Sequence, residues 1–336
     1  MMTPRTRVTE ALQFRDTDIV PYHVTFSTEA REKMIAYYGD PSLVDQVGNH
    51  LAMISHRKVS TWTQMSPGVF RDEWGVVWDR RTDRDIGTVA NCVLAERSLD
   101  HYQFPDPVTT TLVESYPSFV AANRDKFRVA SLGFSLFERA WSLRGMDHLL
   151  VDMLDAPGFV DDLLDRILHF NLAQIDLALS HDIDCVYFGD DWGSQRGMIM
   201  GPSLWVKFIK PRVRQMYGKV REAGRFVMIH SCGDVREVFP DLIECGLNVF
   251  NPFQPETMDV YETKDRYYGR LSFYGGISVQ RLLPHGTPDE VREETSNLIR
   301  KLGKGGGYIA SPSHVIPKDV PAENIAAMLE VLQGQS

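Results

Sequence analysis

No stretch of the chain comes near 18 consecutive apolar residues, so nothing in it reads as a membrane-crossing helix. Met1 to Arg7 carry no apolar segment of the signal-peptide kind, and a soluble, cytoplasmic protein is expected. Positive charge is scarce as well. Against 45 Asp and Glu there are 36 Lys and Arg, and the formal charge of −9 argues against nucleic-acid binding through a basic face. Four cysteines in 336 residues (Cys92, Cys185, Cys232 and Cys245) are too few for a disulfide framework. No Gly-x-Gly-x-x-Gly turn follows a strand-like run, which removes the usual dinucleotide fingerprint. No Ser/Gly-rich linker or charge block divides the chain. A single domain over 1–336 is therefore expected, with 43% hydrophobic residues available for a large core.

What is present is alternation. Short β-like runs at Ile19–Val24, Phe127–Leu132, Asp184–Phe188, Arg225–Ile229, Asn248–Phe250, Leu271–Tyr274 and Gly307–Ala310 are separated, from about 127 onward, by helix-like segments. Helices are expected at 158–181, 203–222, 234–244, 288–302 and 321–333. Thr287-Pro288-Asp289-Glu290 supplies an N-cap, a first-turn proline and early acidic positions. The region 45–126 is less regular. Val76–Asp79 and Thr88–Leu94 read there as hairpin strands, and an eighth barrel strand is expected in the same region. Strand–helix alternation of this length predicts an α/β fold, a (β/α)8 TIM barrel with an N-terminal elaboration, in preference to a doubly wound sheet. Residues 45–126, with the aromatic stretch Trp62 to Trp78, are expected as an insertion or lid.

Barrel sites collect at the carboxyl ends of strands, and here those ends are polar. His230 and Cys232 follow the apolar run Phe226–Ile229, and the period of two puts their side chains on one face. Imidazole and thiol are favoured zinc ligands, although a lone His-x-Cys is equally consistent with a buried, inert thiol. His314, after the last strand, is the natural third ligand; its alternative is an acid/base histidine in the same cleft. Asp190 and Asp191 are expected as catalytic carboxylates, with a turn and N-cap as the bland reading, to which Asp190 is the better suited. Gln254 is a candidate amide contact. Phe26, Phe134, Phe137, Trp141, Trp192, Phe253 and Tyr274 are candidates for the wall of a substrate pocket, with ordinary core as their alternative. Of these, Trp192, Tyr274 and Phe137, together with Gln254, are taken as substrate-binding. Glu138 and Arg139 read equally well as an ion pair at a helix start.

The runs Met228–Asp234, Leu242–Gln254, Gly275–Ile277 and Gly306–His314, followed by Asp319–Asn324, resemble the uroporphyrinogen decarboxylase superfamily, most closely its cobalamin-dependent methyltransferase branch. The resemblance covers roughly 125–335 and implies a (β/α)8 barrel. It also implies zinc held by His230 and Cys232, with the third position on His314 where that branch has a cysteine. Decarboxylases of the superfamily carry a histidine in that region and lack the His-x-Cys pair. Their arginine-rich stretch after the first strand has no counterpart in Val20–Thr28, which contains no arginine, so porphyrinogen decarboxylation is not expected.

One thiolate and two neutral imidazoles would leave a zinc site at formal charge +1, a stronger Lewis acid than a two-thiolate site and suited to an ether or amine donor. The resemblance thus implies a zinc-dependent enzyme moving a methyl group between a small methylated donor, such as a methoxylated aromatic, and a corrinoid. No Asp-x-His-x-x-Gly motif is present, so the corrinoid is expected on a partner protein or free. A decarboxylase-type lyase acting on a small carboxylic acid, or a non-catalytic corrinoid- or small-molecule-binding barrel, are the alternatives. The oligomeric state is left open, with a homodimer as one option.

Overall fold

The computed structural model describes residues 1–42, 47–60 and 62–335. Seven strands form one parallel sheet: β1 (Leu51–Ser55), β2 (Phe127–Leu132), β3 (Cys185–Gly189), β4 (Phe226–His230), β5 (Val249–Phe253), β6 (Ser272–Ile277) and β7 (Tyr308–Pro312). Each strand pairs with the next in chain order, without reversal. That order excludes the doubly wound alternative, whose strand order must reverse at a switch point. The sheet curls into a TIM-barrel-like α/β fold with helices outside it. Its strands are apolar on both faces, as parallel strands covered on both sides must be.

Period-two alternation separates two cores. Leu51, Phe127, Val129, Cys185, Met228, Val249, Tyr274 and Ile309 pack together inside the curl, joined by Val8 and Leu12 of the N-terminal helix α1 (Pro4–Leu12). The opposite face packs against α2 (Phe137–Arg144), α3 (Pro157–Leu179), α4 (Lys210–Glu222), α5 (Phe239–Glu244), α6 (Pro288–Leu302) and α7 (Ala322–Gln333). Thr287 and Glu290 close a reciprocal capping box at the start of α6, as the sequence signal requires.

One expectation needs correction. Ile19–Val24 is not a ladder strand: Tyr22 makes a single parallel bridge to Ala310, and His50 N–H donates to Tyr22 O at 3.1 Å. Pro21 has no N–H to offer a ladder, which limits pairing there. Leu51–Ser55 supplies the barrel strand that was expected within 45–126. The antiparallel hairpins expected nearby do form, as a four-stranded sheet of Thr63–Ser66, Val69–Arg71, Val77–Asp79 and Thr88–Val89. Positions 45, 46 and 61 of the 45–126 region lie outside the described residues. No helix among the described residues is long and apolar enough to cross a membrane.

Candidate metal centre

His230 ends β4 on the interior parity shared by Met228, so its ring enters the mouth of the curl. His230 Nδ1 lies 2.7 Å from Asn251 Oδ1 on the neighbouring strand, where the two residues are in register. Asn251 Nδ2 donates to Tyr274 O at 2.9 Å, which identifies Oδ1 as the acceptor on the His230 side. Nδ1 therefore carries the proton and Nε2 a free lone pair. An orienting acceptor on the far nitrogen is the usual companion of a metal-ligating histidine. Tyr187 Oη donates to the same Oδ1 at 2.5 Å, fixing the amide further.

Cys232 Sγ is 3.4 Å from His230 Nε2. The rings of His230 and His314 lie 5.4 Å apart, edge to face, His314 reaching across from the loop after β7. Donor atoms of His230, Cys232 and His314 all fall within 4.8 Å of one another. In a tetrahedral zinc site such donors stand roughly 3.3–3.6 Å apart, a spacing that the His230–Cys232 pair already has. Burial pushes the Cys232 thiol up, opposed by its contact with His314. The chemistry and spacing of the three donors fit a set that would hold a zinc ion.

The loop holding Cys232 is set by backbone contacts. Asp191 Oδ1 accepts Cys232 N–H at 2.8 Å, and Gln254 Oε1 accepts Gly233 N–H at 2.8 Å. A Cβ on Gly233, whose φ is +82°, would lie 2.5 Å from the carbonyl carbon of Gly193, so the two loops meet backbone to backbone. Asp191 Oδ1 is also 3.8 Å from His230 Nε2.

His230 and His314 border a cavity of about 850 Å³. Trp78, Phe134, Trp141 and Tyr187 supply aromatic wall, and Asp191, Glu138, Arg57, His230 and His314 supply polar groups. Thr88, Val89 and Asn91 bring one edge of the small antiparallel region over the opening, where a lid was expected.

Five residues singled out from sequence lie elsewhere. Asp190 is fully buried and accepts from Leu136, Phe137 and Glu138 N–H groups and from Trp192 Nε1. It is the cap of α2, whose own N-cap, Leu136, has no side-chain acceptor. Burial raises its carboxyl to about 6, against those hydrogen bonds. Trp192 packs edge to face on Trp205, and Phe137 is buried core. Gln254 holds the Gly233 loop, and Tyr274 Oη meets His23 Nδ1 at 2.5 Å. None of these four side chains is among the residues that line the cavity.

Arg57 is a polar residue of the cavity that sequence reasoning missed, while Glu138 reads in the sequence as an ion pair with Arg139 and Asn251 stands among the polar strand ends. Glu138 does not pair with Arg139, which instead bridges to Asp72 at 2.9 Å. Burial, then the charges of Asp191 and Asp190, push the Glu138 carboxyl well above the usual carboxylate range. A strand partner rule marks Asn251: it stands beside His230 in the next strand, with the same inward parity.

With this geometry in place, similarity to known proteins assigns the class. Residues 83–334 match the uroporphyrinogen decarboxylase (URO-D) family, and the chain belongs to that family. A curated relative is a uroporphyrinogen decarboxylase of Coxiella burnetii (strain Dugway 5J108-111), 22% identical over 54% of this chain and 48% of its own length. Another is a methylated-thiol–coenzyme M methyltransferase of Methanosarcina mazei, 21% identical over 57% of this chain and 49% of the relative. The chain thus spans about half the length of these curated relatives. A solved methyltransferase from Methanosarcina mazei superposes with a TM-score of 0.73 over 99% of both chains at 16% identity, which establishes the shared fold.

Proposed function

We propose that this protein is a zinc-dependent methyltransferase that removes a methyl group from a small methylated donor, a methoxylated aromatic being the class that suits the cavity, and passes it to a corrinoid that is free or carried by a partner protein. The observation that carries this reading is the convergence of His230, Cys232 and His314 donors within 4.8 Å beside an aromatic-walled cavity. A methyltransferase among the relatives and the full-length fold match support methyl transfer in general. The curl is read as a TIM barrel whose eighth stave is the extended segment around Tyr22.

His230, Cys232 and His314 would hold zinc, which would supply Lewis acidity of the kind that polarises an ether oxygen. The residues around it have separate tasks. Asn251 fixes the tautomer of His230, and Asp191 anchors the Cys232 backbone. Trp78, Phe134 and Trp141 hold a flat donor and exclude water. Glu138 offers a proton to the leaving oxygen, although a bound cation acts against the rise in its carboxyl. The carbon–oxygen bond breaks with its electron pair on oxygen, which takes that proton. A reduced corrinoid, as the second substrate, would supply the electron pair for the new bond to the methyl carbon.

The test combines elemental analysis with turnover. Purified protein is expected to retain about one zinc per chain. Zinc-loaded protein with Co(I) corrinoid and a panel of methoxylated aromatics, methylamines and methylthiols is expected to form methylated corrinoid, and a chelator to stop it. Absence of methylation with every donor overturns the reading. Carbon dioxide released from a small acid by metal-free protein establishes the decarboxylase alternative instead.

A further inference from the structure

Arg57, just after β1, is the unexplained group of the cavity. It lines the same space as His230, His314 and Asp191. Its Nε and Nη2 are buried, and no described residue accepts a hydrogen bond from either. The guanidinium carbon sits 4.6 Å from the centre of the Phe134 ring, 5.0 Å from Trp62 and 5.2 Å from Trp78. Ring faces attract the cation, but they do not accept its in-plane N–H groups. The two orphaned atoms, Nε and Nη2, form the side-on edge with which arginine grips a carboxylate through two parallel hydrogen bonds.

The acids nearby do not fill that role. Asp72 is committed to Arg139, at 2.9 Å, and to Trp78 Nε1, at 3.0 Å. Glu138 makes no hydrogen bond to the orphaned edge. Arg80, stacked 4.2 Å over Trp62, adds positive charge on the same side. Burial and the neighbouring Arg80 and Arg139 lower the Arg57 guanidinium to about 10, which still leaves it charged at neutral pH.

We infer that Arg57 is the anion subsite of this cavity, and that the substrate is a small carboxylate with a flat apolar body: its carboxylate on Nε and Nη2 of Arg57, its body against Phe134, Trp78 and Trp141. The identity of that acid as the methyl donor rests on the methyl-transfer reading above; the subsite itself does not. An aromatic acid bearing a methoxy group satisfies both ends of the cavity, one end held by Arg57 and the other directed at the three donors.

Binding is measured on zinc-loaded protein by tryptophan fluorescence, with 3-methoxybenzoate and its neutral partner 3-methoxybenzamide as probes. In the native protein the acid binds roughly ten- to a hundredfold more tightly, the range for a charge-assisted pair of hydrogen bonds. R57Q brings the ratio near one, and R57K, which keeps the charge and loses the two-pronged edge, gives an intermediate ratio. Equal affinity for acid and amide in the native protein overturns the inference, as does a ratio unchanged in R57Q of native melting temperature. Should R57Q not fold, R57K decides: a reduced ratio supports the subsite, an unchanged one overturns it. Selective acid binding without methyl transfer retains the subsite and removes the methyltransferase function. Methyl transfer that ignores the carboxylate does the reverse.

Discussion

His230 Nδ1 donates to Asn251 Oδ1 across 2.7 Å between adjacent strands in register, and that one contact decides which nitrogen of the ring faces the other donors. With the amide oriented by the Tyr274 carbonyl, Nε2 is committed to the side of Cys232. The tautomer is thus built into the sheet, ahead of any ion.

Removing that orientation should weaken metal binding without emptying the site. Asn251→Leu is expected to lower zinc affinity roughly ten- to a hundredfold, the usual effect of losing an orienting partner. Competition with a chromophoric chelator measures it, and unchanged affinity would contradict the role.

Ligand removal should be more severe. Cys232→Ser and His314→Ala are each expected to lose most of the bound zinc by elemental analysis, and methyl transfer with it. Full zinc content in His314→Ala would reassign that ring to acid/base work.

Asp190 should matter for folding and not for metal. Asp190→Ala leaves three backbone N–H groups and the Trp192 indole N–H without their acceptor. A loss of about 3 kcal/mol in unfolding free energy is expected from chemical denaturation, with zinc content retained in the folded fraction.

Glu138→Gln keeps the cavity shape and removes a proton. Zinc content is expected to stay native, while turnover falls most for donors with the most basic leaving oxygens, by roughly a hundredfold. A uniform loss across leaving groups would place Glu138 in substrate binding alone.

Buried imidazoles predict acid sensitivity. Burial lowers His23 and His56 from 6.5 to about 4, so between those values the unfolded chain binds protons that the native state refuses. Stability is therefore full above pH 6.5 and falls as pH drops toward 4, by up to about 3 kcal/mol per ring. Urea titrations at pH 7 and pH 5 measure the slope, which His56→Phe should reduce.

Much of the plan is legible in the chain because it rests on local periodicity. Alternation by two places His230 and Cys232 on one face, and the Thr287–Glu290 capping box marks the start of α6. Ile19–Val24 misled because its apolar pattern is that of a strand, whereas Pro21 and the course of the chain leave only one bridge. Trp192 and Tyr274 misled for a related reason: proximity to a strand end says nothing about whether a ring points into the opening or fills the space beneath it.

The amino-acid order by itself determined much of the succession of strands and helices, the shared parity of His230 and Cys232 and the net negative charge, since these follow from composition and from neighbours in the chain. Only the tertiary structure decided that His314 meets His230, that Asp190 caps a helix, and that Nε and Nη2 of Arg57 are buried with no acceptor among the described residues. Those outcomes depend on how far the sheet curls and which loops it brings together. Curl and loop contact arise from packing between residues tens to hundreds of positions apart, and no local pattern encodes them.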